Sequence, residues 1–275
     1  VIDPKGPIAA ANLTILVDSL AIMLAIVVPM IATTIGFAWW FRASNPKARR
    51  LPDWQFSGRL ELVVWAIPLL TILLLGGVTW IGSHTLDPYK PIKGDGPIEV
   101  QVVSLDWKWL FIYPAEGVAS VNELAVPAGR PLHFTLTSSS VMNAFFVPQL
   151  GSMIYTMNGM ATQLWLQADE PGSYRGLSAH FSGEGFADMH FGVKALPAGQ
   201  FEAWVATARQ NGARLDTARY GALARQSSGD PVSAYGAVES DLFDRVVSGH
   251  LPPGPGPGTE DRGTHQAAEA EKPRH

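Results

Sequence analysis

Residues 62–82 read LVVWAIPLLTILLLGGVTWIG, twenty-one positions without a charge. At about 1.5 Å per residue, a helix of that length covers roughly 30 Å, the thickness of a bilayer's hydrocarbon core. A strand buried in a parallel sheet would stop after about four to eight residues. A core helix of a large soluble protein is the competing reading, and a second charge-free run, Leu20–Phe41, counts against it. Together the two runs predict a transmembrane hairpin, with spans over about residues 14–41 and 60–84 and a loop at 42–59.

The loop reads RASNPKARRLPDWQFSGR and sets five basic residues (Arg42, Lys47, Arg49, Arg50, Arg59) against one acid, Asp53. Lys/Arg bias in short loops places it in the cytoplasm, so both termini and everything after the second span lie outside. Trp39, Trp40 and Trp80 suit the membrane interfaces, and Pro29 and Pro68 fall inside the spans, where kinks are expected. Glu61 stands at the cytoplasmic start of the second span, four residues before Trp65. Two readings of it stay open: a charge complementing the helix dipole, or an ionisable group facing a partner and taking up protons.

Of the 275 residues 47% are apolar and 16% charged, and the charge deficit is concentrated before residue 86. Beyond the hairpin there is room for one domain of about 100 residues and a short further element. Cysteine is absent, which excludes disulfides, thiolate metal sites and cysteine nucleophiles. A net charge of -4 gives no reason to expect nucleic acid. No basic leader precedes the first apolar run, so that span is either uncleaved or follows a leader already removed.

From Ile98 the hydrophobic period changes to two. Strands are predicted at 98–105, 107–113, 120–126, 131–137, 141–147, 162–168, 172–179 and 188–193, separated by Pro- and Gly-containing turns. Residues 95–196 thus form a small all-β sandwich, and 1–90 are assigned to the N-terminal segment and hairpin. A short helix is expected at 200–210 and two turns at 241–247, within a helical extension over 197–250. Residues 251–275, opening LPPGPGPGTEDRG, are expected to be disordered. Copper between the sandwich loops would need clustered soft ligands. His133, His180 and His190 with Met142, Met153, Met157, Met160 and Met189 supply no thiolate and no convincing third imidazole, so no metal is expected. Ser138-Ser139-Ser140 lacks the glycines of a nucleophile elbow.

Several stretches, in order, carry a family likeness: Glu61-Leu-Val-Val-Trp-Ala-Ile-Pro68, Ser104-Leu-Asp-Trp-Lys-Trp-Leu-Phe-Ile-Tyr-Pro114, Val141-Met-Asn-Ala-Phe-Phe-Val-Pro-Gln-Leu-Gly151, Glu170-Pro-Gly-Ser-Tyr174 and Ser182-Gly-Glu-Gly-Phe-Ala-Asp-Met189. Residues 1 to about 250 resemble subunit II of the haem–copper terminal oxidases, most closely the bo-type ubiquinol oxidases. The resemblance implies a cupredoxin fold outside the membrane. Relatives that oxidise cytochrome c hold two coppers there. Their histidines fall at Asn143 and Phe186, their cysteines at Ser178 and Ser182, their bridging glutamate at His180, and only the methionine, Met189, is retained. Without both thiolates the pair of coppers has no bridge. Trp107 matches the residue over which electrons enter in those relatives, and here a structural aromatic role is expected. Glu61 matches a carboxylate at the mouth of a proton channel shared with the large subunit.

The resemblance therefore implies a non-redox subunit II of a proton-translocating ubiquinol oxidase in the bacterial inner membrane. Haems and one copper would reside in subunit I, subunits III and IV and membrane lipid would be further partners, and ubiquinol would be the substrate of the complex. It also implies a lipoprotein-type N-terminus next to Val1. Two alternatives stand beside it: a cytochrome c oxidase subunit II with a degenerate copper site, and a membrane-tethered cupredoxin-like binding or assembly module.

Overall fold

The computed structural model describes residues 2–49, 51–94 and 96–256, without the Asn211 side chain. The expected lipidation next to Val1 and the tail from residue 257 onward lie outside the described residues. The chain divides into two compact units: one holds residues up to Ala10 and from Pro88 onward, the other Ala11–Asp87.

The second unit is the hairpin, formed by α1 (Pro7–Trp40) and α2 (Gly58–Thr85). Each is apolar on all sides, and Leu62, Val64, Ile72 and Leu73 are each more than 60% exposed, which suits lipid and not water. The helices approach closely at Gly82, where an added Cβ would stand 2.8 Å from Ile15 Cδ1. Polar groups at the outer end of α2 turn inward: the hydroxyls of Ser83 and Thr85 donate to the carbonyls of Trp80 and Ile81. At the other end of the hairpin the Arg42 guanidinium donates to Trp39 O (2.9 Å) and the Asn45 amide to Trp40 O (2.6 Å), satisfying carbonyls left open where α1 stops.

The other unit is a two-sheet sandwich. One sheet combines β1 (Ile98–Leu105), β2 (Lys108–Tyr113), β3 (Val118–Val121), β5 (Pro131–Ser138) and β8 (Thr162–Gln167) with two later strands, β11 (Ala213–Leu215) and β12 (Ser233–Val238). Its order is β11-β12-β3-β2-β1-β5-β8. The second sheet runs β4 (Glu123–Pro127), β10 (His190–Leu196), β9 (Gly172–Ser178), β6 (Asn143–Phe146) and β7 (Met153–Thr156). Trp109, Phe111, Phe134, Phe145 and Phe191 fill the space between the sheets. The outer face of β2 is buried too: Leu110 and Ile112 join Val103, Leu105 and Val121 beneath α4 (Thr217–Leu223) and α5 (Leu242–Val247). That double burial is why 107–113 reads as a continuous apolar run instead of alternating.

The two-span anchor, the β-sandwich and the short C-terminal helices agree with the sequence reading; several boundaries do not. The single strand expected at 120–126 is two strands in different sheets. Asn122 adopts a left-handed backbone (φ 57°) between β3 and β4, and its side chain accepts from Trp109 N at 2.9 Å. β7 was not expected, since Met153 and Tyr155 lie exposed on an edge strand. The extension over 197–250 is not purely helical. After α3 (Ala198–Asn211), β11 and β12 extend the larger sheet, β12 pairing with β3. The start of the chain also differs from the expected 1–90 grouping. Lys5 N donates to Gln149 O (2.7 Å) and Asp169 N to Lys5 O (2.9 Å), which fastens the first residues to the sandwich. Residues 251–256, expected as disordered, are held in place: Leu251 is buried, Gly254 N donates to Ser139 O (2.8 Å) and Gly256 N to Asp106 Oδ2 (2.9 Å).

Candidate functional site

Two places bear on function, one in each unit. The first is the end of the sandwich where β6, β9 and the 180–189 segment meet. Ser178 ends β9 and Asn143 begins β6; both are buried, as are Ser104 and Thr156 beside them. Ser178 Oγ lies 3.3 Å from Asn143 Oδ1 and 3.2 Å from His180 O, and the Asn143 amide nitrogen donates to Val141 O at 3.2 Å. Ser104 Oγ and Thr156 Oγ1 are 2.7 Å apart, and Thr156 Oγ1 lies 3.4 Å from the Asn143 carbonyl. Ser182 Oγ points at Met189 Sδ, 3.8 Å away, and Ser178 N donates to Met189 O at 3.0 Å.

All six positions singled out in sequence thus sit in one bonded cluster, His180 through its backbone carbonyl and Phe186 through its own, which accepts from Met189 N at 3.1 Å. The His180 ring faces away from it and packs edge-on against Tyr155 at 5.9 Å. The Phe186 ring packs on the exposed Phe181 ring at 5.6 Å. The donor set does not fit a dinuclear copper centre: hydroxyls and an amide are poor copper ligands, no thiolate is present to bridge two ions, and the thioether already faces a hydroxyl. Trp107 forms the wall of this end. It turns the β1–β2 connection with φ 66°, and its indole N–H donates to Ser182 O at 3.0 Å. Gly185 lies flat against the ring, where a Cβ would come within 2.3 Å of Trp107 Cδ2. The indole is clamped as part of the frame.

The C-terminal segments are anchored to this end through two buried charges that sequence reasoning did not single out. Lys108, its side chain 2% exposed, pairs with Asp230 (3.2 Å) and donates to Arg225 O (3.0 Å) and to Ser227 Oγ. Asp106 accepts from Ser140 Oγ and from Gly256 N. The signal for both is a charged residue inside an apolar run, Leu105-Asp-Trp-Lys-Trp109.

The second place is the start of α2. Glu61 lies in its first turn, exposed, with its backbone N–H donating to Ser57 O at 3.0 Å. Its Oε2 accepts from the Trp65 indole at 3.0 Å, one helical turn on. The second carboxylate oxygen has no hydrogen bond among the described residues.

The comparisons with known proteins agree with this geometry. A family profile described as the periplasmic domain of cytochrome c oxidase subunit II matches residues 99–196, and the COX Aromatic Rich Motif matches 209–253. The chain is 47% identical to ubiquinol oxidase subunit 2 of Acetobacter aceti over 251 residues, covering 90% of this chain and 81% of that protein. It is 44% identical to cytochrome bo(3) ubiquinol oxidase subunit 2 of Pseudomonas putida, covering 90% and 79%. A solved periplasmic domain of cytochrome oxidase subunit II from Bradyrhizobium japonicum, 24% identical, covers 44% of this chain and 98% of that one with a TM-score of 0.41. With nine-tenths of its length matched at such identity, the chain belongs to the ubiquinol oxidase subunit 2 family, within the haem–copper oxidase subunit II proteins.

Proposed function

We propose that this chain is the non-redox subunit II of a proton-translocating terminal oxidase that oxidises ubiquinol and reduces oxygen to water. The observation that carries the proposal is the membership of a quinol-oxidase family together with a copper end whose hydroxyls and amide bond to one another. Electrons then have no relay through this subunit. They pass from quinol to the haem–copper subunit I with which subunit II associates, and subunits III and IV complete the assembly. The two helices of the hairpin anchor the chain in the inner membrane, with the β-sandwich on the periplasmic side.

Within that complex Glu61 collects protons on the cytoplasmic side. Its exposure, its place in the first turn of a membrane span and its single bond to Trp65 support the role. A carboxylate bonded on one oxygen keeps the other available to water or to a partner's polar groups. The Trp65 N–H orients the carboxylate. Purification of the tagged chain from its native membrane tests the whole reading. The expected product is a haem-bearing complex that consumes oxygen with ubiquinol and carries no copper on this chain. Two coppers on the chain with cytochrome c activity would support the cytochrome c reading, and a chain without a haem partner would support the assembly-module reading.

A further inference from the structure

The loop joining α1 and α2 lines an open cavity of about 690 Å³. Its walls combine Phe41, Leu51 and Trp54 with the guanidinium-bearing Arg42 and Arg49. Leu51 and Trp54 are 69% and 58% exposed, an unusual state for large apolar groups in a charged loop. The charges are not consumed locally. Among the described residues the loop holds no ion pair, although Asp53 is close in sequence. Arg42 is positioned by Trp39, lying over its ring at 4.7 Å and donating to its carbonyl. Arg49 has no hydrogen bond to the described residues.

We infer that this cavity binds the headgroup of an anionic phospholipid from the cytoplasmic leaflet. The argument is charge complementarity at a fixed depth. The cavity begins at Phe41, one residue past the end of α1, so the two guanidinium groups stand at the loop end of a membrane span, the side on which a lipid phosphate would be met. Guanidinium forks match phosphate oxygens in pairs, and the aromatic and aliphatic walls cover the glycerol and the upper acyl carbons. Lys47 lies in the same loop and adds to the attraction. The site joins the hairpin to its own leaflet by a specific contact, beyond the apolar match of the spans. It rests on the membrane topology and not on the oxidase activity.

The test is native mass spectrometry of the delipidated complex after incubation with mixed micelles of phosphatidylglycerol or phosphatidylcholine. Phosphatidylglycerol is expected to remain bound to this chain and phosphatidylcholine to wash off. Arg49→Gln, which breaks no hydrogen bond within the described residues, should lower retention about fivefold, and R42Q/R49Q should bring it down to the phosphatidylcholine level. Arg49→Lys should keep most of it. Equal retention of the two lipids, or retention unaffected by Arg49→Gln, overturns the inference. So does displacement by an equal concentration of inorganic phosphate, which would mark a free-anion site. Quinol oxidase turnover, recorded on the same samples, reports on the proposed function separately.

Discussion

At the loop end of the sandwich, Ser104, Asn143, Thr156 and Ser178 are buried and bonded to one another, whereas Glu61 at the start of α2 is exposed and holds one partner. Both regions are built from polar side chains, and they differ in how fully those side chains are partnered. At the sandwich end, where the family resemblance places the copper ligands, hydroxyls and an amide satisfy each other, which under the proposed function makes the region part of the frame. Glu61 makes one side-chain hydrogen bond, and the proton role proposed for it relies on the carboxylate oxygen that this leaves open. Polar satisfaction is thus the property in which the two regions differ most plainly.

The comparison is broken most forcefully among the buried charges. Asp230→Ala leaves Lys108 without its ion-pair partner beneath the C-terminal segments. A loss of about 3 kcal/mol is expected, at the lower end for such pairs because Arg225 O and Ser227 Oγ remain as acceptors. Thermal melting of the detergent-solubilised chain measures it, and an unchanged midpoint would show that the C-terminal cover is held without this charge. Ser178→Ala comes next. It removes the hydroxyl between Asn143 Oδ1 and His180 O and should cost about 1–2 kcal/mol with no change in turnover. A fall in turnover at unchanged stability would return a functional part to the copper end.

Glu61→Gln tests the other side of the comparison. The amide keeps the shape and can accept from Trp65, but carries no proton. Turnover normalised to haem is expected to drop severalfold, roughly 1 kcal/mol of barrier, with wild-type spectra and subunit content and partial recovery in Glu61→Asp. A dipole role alone predicts about 0.3–1 kcal/mol of stability and full activity. The smallest effect at neutral pH is that of Tyr113 and Tyr220. Burial pushes both phenols well above the ordinary value of 10, opposed by the Ala125 and Ser120 contacts at Tyr113 and by Ser139 at Tyr220. The unfolded chain ionises first, so these groups leave stability untouched below about pH 10 and erode it as pH rises beyond. Absorbance titration should find phenols that ionise only on unfolding, and Tyr113→Phe should remove one of them.

Much of this was legible before any coordinates. The spans announce themselves because no charge interrupts them, and the Glu61–Trp65 pair is visible as a four-residue spacing on a helix. Asn143, Ser178 and Ser182 were marked as a group by the family likeness, not by any periodicity. What escaped had physical reasons. A sheet switch needs only one left-handed residue, and Asn122 carries no mark that distinguishes it from a turn asparagine. β12 reads SAYGAV, too small and too exposed to alternate. Residues 251–256 have a composition that cannot build a core, yet Leu251 fills a gap in an existing one, and Gly254 and Gly256 are held by their backbone amides. Composition measures what a segment buries by itself and misses what it borrows from a neighbour.

The second apolar layer has a consequence for biogenesis. Leu110, Ile112 and Val103 are made early in the outer domain, but part of their cover, Leu242, Phe243 and Val246, is made only after β12. Until α5 arrives, part of that face of the sheet stands open to water and to other chains. The nascent subunit thus passes through an interval with apolar surface uncovered, so premature termination within 217–247 should be more damaging than the loss of two short helices suggests.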